Sequence, residues 1–86
     1  MPVISKFYGI IVRLMKLPRR GLAIYASYGE DEVMLDAGTL QIISGSAPAR
    51  VVELLKEWAR QHHAELREAM NSLQQRRVPA EIAPLI

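Results

Sequence analysis

APARVVELLKEWARQHHAELREAMNSLQQR, residues 47–76, is the stretch that decides the fold. Its apolar and near-apolar positions from Val51 onward are Val51, Leu55, Trp58, His62, Leu66, Ala69 and Leu73. The steps of three and four draw one stripe down an α-helix. Val52, Leu54, Ala59 and Met70 widen it, and Glu53, Lys56, Glu57, Arg60, Arg67 and Glu68 fill the opposite, solvated face. Ser46 is placed as N-cap, with its hydroxyl accepting an orphan backbone N–H, and Pro48 falls in the first turn, where a missing donor costs nothing. Arg76 and Arg77 suit the negative end of the helix dipole, and Pro79 stops the helix. One long helix over 46–77 is therefore expected.

The segment before it, 1–45, reads as β structure. Lys6 to Lys16 is rich in β-branched and aromatic residues and predicts a first strand after an extended lead-in, Met1 to Ser5. Alternation puts Tyr8, Ile10, Val12 and Leu14 on the core face and Phe7, Ile11, Arg13 and Met15 on the other, with Gly9 marking a bulge or a close backbone approach. Leu17-Pro18-Arg19-Arg20-Gly21 is a turn, Leu22 to Tyr28 a second strand, and Gly29-Glu30-Asp31 another turn. Glu32 to Asp36, with Val33 and Leu35 inward, is a third strand. Ala37-Gly38 is a tight connection, and Thr39 to Ser44 is a fourth strand with Leu40 and Ile42 inward. Connections this short exclude parallel pairing, which needs crossovers of about a dozen residues. The fold class is therefore α+β: a four-stranded antiparallel meander whose dry face is covered by one long C-terminal α-helix.

Length creates a mismatch between the two layers. A helix of about 30 residues would be ~45 Å long, whereas a seven-residue strand spans ~23 Å. The helix must overhang, kink, fray near Asn71-Ser72, or be covered by a second subunit. The apolar tail 78–86 then packs on the body or on a partner, which makes Met70, Leu73, Ile82 and Leu85 the candidate partner-binding residues.

With 86 residues, half of them hydrophobic, the chain has room for one small domain with a real core. It has no cysteine, which excludes disulfides, thiolate metal sites and cysteine nucleophiles. The longest apolar run, Gly9 to Val12, falls far short of the ~20 residues of a membrane span. Met1 to Ser5 has neither a basic n-region nor a small-residue cleavage site. A cytoplasmic protein without membrane contact is expected. The net charge of +2 is too small to imply a polyanionic partner by itself. Its distribution is uneven: Arg13, Lys16, Arg19 and Arg20 gather around one turn, and Glu30, Asp31 and Glu32 around the next. Solvated loops account for both clusters. The sharper reading is a dipolar surface that meets a complementary partner.

The catalytic inventory is thin. His62 and His63 are adjacent on the helix and diverge by ~100°, whereas a helical metal pair needs ligands three or four residues apart. His62 lies on the apolar stripe between Trp58 and Leu66, as a core histidine does, and Glu65 is within reach one turn on. No glycine-rich phosphate loop is present, and no metal, cofactor or catalytic residue is assigned. A basic hairpin of Arg13, Lys16, Arg19 and Arg20 beside Tyr25 could grip phosphates and stack a base, which gives a nucleic-acid-binding reading.

The opening Pro2-Val3-Ile4-Ser5-Lys6-Phe7-Tyr8-Gly9-Ile10-Ile11-Val12-Arg13 carries a resemblance. Tyr28-Gly29-Glu30, Gly45-Ser46-Ala47-Pro48, Glu57-Trp58-Ala59 with His62, Glu65 and Leu66, and Ile82-Ala83-Pro84-Leu85 continue it. In these pieces and their order the chain resembles the bacterial and archaeal domain-of-unknown-function 4160 proteins. Members of that family usually carry a Pro-Pro-His-Phe-His segment between the first two strands. Here Pro18-Arg19-Arg20-Gly21-Leu22-Ala23-Ile24-Tyr25 stands in its place, so no role is transferred to it. The resemblance implies a small partner-binding protein of a toxin–antitoxin-like pair, self-associating or bound to a small cognate protein. A nucleic-acid-binding regulator is the alternative, and a ribonuclease-like toxin using His62 or His63 with Glu65 the third.

Overall fold

In the computed structural model, which describes residues 2–19 and 21–85, the chain is an antiparallel sheet with two helices on one face. The strands are β1 (Val3–Phe7), β2 (Ile10–Leu17), β3 (Gly21–Tyr28), β4 (Asp31–Asp36) and β5 (Ile42–Ser46), and they are hydrogen-bonded in sequence order. The α+β class and the meander are as expected; the strand count is not. The stretch from Lys6 to Lys16 is not one strand: it folds back at Tyr8-Gly9, with Phe7 paired to Ile10, and Val3 to Ser5, expected in an extended lead-in, belong with Lys6 and Phe7 to β1. Tyr8 and Gly9 both have positive φ (49° and 78°), the signature of a two-residue I′ turn that matches the twist of its strands. The fold-back reverses the assignment of this corner. Phe7 is buried in the core, and Tyr8, expected there, is 61% exposed.

The β2–β3 hairpin keeps an unbroken register from Ile10↔Tyr28 to Leu17↔Gly21. A two-residue turn joins Tyr28 to Asp31 with positive φ at Gly29. After β4, the Asp36 side chain accepts hydrogen bonds from the Gly38 and Thr39 amides (2.8 and 2.9 Å) and shapes the connection. β5 therefore starts later than expected, and Ile42, assigned to the core, is 50% exposed on this edge strand. Leu40 does pack on the core. β5 is also bulged: Met34 pairs with Ser44 and Leu35 with Ile42, so Ile43 is the extra residue.

The expected single helix is two, α1 (Ala49–Gln61) and α2 (His63–Gln74), separated by His62 at φ −110°, ψ 34°. A straight helix over 49–74 would be about 39 Å long at 1.5 Å per residue, against a longest molecular extent of 33 Å. The break at His62 resolves that mismatch without a second subunit, and it falls nine residues before the expected fray point at Asn71. Ser46 ends β5 instead of capping the helix; the N-cap position is Pro48, which makes no side-chain cap bond.

One core cluster joins the inner face of the sheet to the helices. Ile10, Val12 and Leu14 of β2, Ile24 and Ala26 of β3, and Val33 and Leu35 of β4 meet Val51, Leu55, Trp58, Leu66 and Ala69. The tail closes the structure. Ile82 and Leu85 are buried in the same cluster, the Ile82 amide donates to the Ile4 carbonyl (2.7 Å), and the Trp58 indole N–H donates to the Ala83 carbonyl (2.9 Å). Among the described residues no helix is long and apolar enough to cross a membrane.

Candidate functional site

The helices and tail cover one face of the sheet, and alternation sends every second side chain to the other. Across the middle of that second face runs one row of directly paired residues: Val3, Arg13, Tyr25, Met34 and Ser44. On one side lies the row Lys6, Ile11, Ser27, Glu32 and Ser46; on the other lie Met15, Ala23 and Asp36. Ile11, Met15, Tyr25 and Met34 are partly exposed and Ala23 is fully enclosed by its neighbours, yet none belongs to the core cluster. The uncovered face is thus a small apolar field with one arginine near its centre. Half-wet sheets normally alternate apolar inside with polar outside, and here the outward half of β2 (Ile11, Arg13, Met15 and Leu17) is polar only at Arg13.

That signal was available in the sequence. Within the alternate set of the first β segment, Ile11 and Met15 flank Arg13, more apolar than a fully solvated face requires. Of the residues assigned to nucleic-acid binding, Arg13 and Tyr25 do come together, as direct cross-strand partners on this face. Lys16, opposite Leu22, belongs to the helix side, and Arg19 is exposed in the turn at positive φ (65°). Arg20 lies outside the described residues. The four described residues therefore do not form a single basic patch. The partner-binding set is placed differently again. Ile82 and Leu85 are buried, and Met70 and Leu73 are partly buried against the core cluster, so these side chains pack on their own chain. They form no exposed docking strip.

The histidines divide in the same way. His62 Nδ1 is 3.0 Å from Glu65 Oε1, the contact expected from their spacing, and the ring lies 6.2 Å from that of Trp58. Its Nε2 is buried, while Nδ1 meets the Glu65 carboxylate at the surface. His63 is exposed. No group of three His, Cys, Asp or Glu side chains among the described residues could hold a metal ion.

No family model matches the chain, and neither a curated protein nor a solved structure matches it.

Proposed function

We propose that this chain is a protein-interaction module, one half of a toxin–antitoxin-like pair, and that its docking surface is the uncovered face of the sheet. The observation that supports this reading is the partly exposed field of Ile11, Met15, Tyr25 and Met34, none of which packs on the core cluster beneath the helices and tail. Apolar sheet surface of this kind gains free energy by leaving water, at about 25 cal/mol per Å², and a polar rim with a central aromatic and an arginine is the composition of an interface anchor. The resemblance to the domain-of-unknown-function 4160 proteins points the same way. This face replaces the overhanging helix and the free apolar tail as the grounds for a partner.

Affinity capture with the tagged chain in a bacterial host, run beside the Tyr25→Asp variant, tests the reading. A charge at the centre of the face should abolish capture of the partner while leaving the fold intact. Equal capture by both chains would remove the face from the mechanism. Neither alternative gains comparable support, because Lys16 and Arg19 leave the face that carries Arg13 and Tyr25, and His62 has its Nε2 buried and its Nδ1 already engaged by Glu65.

A further inference from the structure

The charges on the uncovered face are divided across the strand order, not along the strands. Lys6 and Arg13 stand on β1 and β2, and Glu32 stands on β4; among the described residues none of the three is in an ion pair. Asp36, also on β4, already accepts from the Gly38 and Thr39 amides, so Glu32 carries the negative side. Resting on the interaction reading above, we infer that a second copy of the chain occupies this face. The two sheets pack about a two-fold axis parallel to β3 through Tyr25.

This axis follows from the charges. It lays β1 and β2 of each copy over β4 and β5 of the other, so each Arg13 reaches the partner's β4 near Glu32, and the two Tyr25 rings meet at the axis. A two-fold axis across the strands would set Arg13 on Arg13 and leave β4 over β4. Like charges face to face cost several kcal/mol, which eliminates that arrangement. Aligned sheets stack about 10 Å apart with strand directions within about 30°, the geometry of a β-sandwich.

Edge-to-edge growth is the other route for a sheet protein, and both edges are blunted against it. β1 gives its Ile4 carbonyl to the tail amide of Ile82. β5 is short, bulged at Ile43 and bent through Gly45 at φ 77°. The face is left as the adhesive surface. Five strands at ~4.8 Å and about six residues at ~3.3 Å give roughly 500 Å² per copy, or about 1,000 Å² for the pair. That lies at the lower bound of specific interfaces, so the dimer is weak and salt-sensitive.

Sedimentation equilibrium of the whole chain, from micromolar to near-millimolar and at two salt concentrations, tests this with two charge reversals. Wild type should associate reversibly. Arg13→Glu and Glu32→Arg, each alone, should raise the dissociation constant at least about tenfold. An equimolar mixture of the two variants should recover association, because each supplies the charge the other lacks. Near-UV circular dichroism at Trp58 checks that both variants are folded. A wild type that stays monomeric throughout, single variants that associate like wild type, or a mixture that fails to recover would each overturn self-pairing. A monomeric wild type that still captures a partner through Tyr25 overturns self-pairing alone. Loss of both results removes the interaction reading as well.

Discussion

Single residues fix this fold where backbone meets backbone, and Gly45 is the sharpest case. Its φ is 77°, and a Cβ built there would lie 2.2 Å from the Glu32 carbonyl oxygen. Two penalties therefore act on any side chain: left-handed backbone strain and a collision with the neighbouring strand. Gly45→Ala should destabilise the protein by about 2–4 kcal/mol in a urea titration. Gly29 also has positive φ, but a Cβ there would meet nothing within 4 Å, so Gly29→Ala should cost only the strain, about 1–2 kcal/mol. Equal losses at the two positions would show that β5 does not press this closely on β4. The glycines at 21 and 29 announced their turns in the sequence through their spacing between alternating runs. Gly45 did not, because the close approach depends on which strand lies beside it. Tyr8 misled for a related reason. An aromatic residue belongs by propensity to a strand, and nothing local signals that Tyr8-Gly9 takes the I′ geometry usually given to Asn-Gly.

At the scale of elements, the helical stripe and the tail share one core cluster. The apolar stripe from Val51 to Leu73 was legible and does face the sheet. A kink was among the outcomes that the length mismatch required, but its place at His62 was not legible, because the stripe runs through it without a proline, a glycine or a change of period. Only the compactness of the whole molecule demands the bend. Of the two places expected for the tail, the body or a partner, it takes the body: Ile82 and Leu85 complete the core, and Trp58 clamps the segment through its indole bond to Ala83. Sequence supplies the apolar character of those residues but not what covers them. Trp58→Phe keeps the packing with Phe7, whose ring lies 5.7 Å away, while it removes that donor. The expected loss is about 1–2 kcal/mol. Amide exchange should accelerate most in the tail and at the β1 edge, where the Ile82 amide meets Ile4. A uniform acceleration across all strands would mean that the clamp has no local role.

At the scale of the molecule, the layers are unequal: one face of the sheet is roofed by α1, α2 and the tail, and the other is bare. A domain this small buries only about 60–65% of its unfolded surface, so leaving an apolar sheet face exposed sacrifices stability that a third layer would supply. The proposed pairing across the bare face, positive on the β1–β2 side and negative at β4, is what would resolve that imbalance. The strands and their antiparallel order were readable from turn chemistry and period, whereas the site was readable only as a pattern without a location, since Arg13 and Tyr25 become neighbours through pairing. Backbone amide chemical shifts followed through a dilution series give the most direct test of that face. Concentration-dependent shifts should concentrate at Ile11, Arg13, Met15, Tyr25 and Met34, with α1, α2 and the tail unmoved. Shifts centred on the helices or the tail, or none across the series, would contradict self-pairing through the bare face.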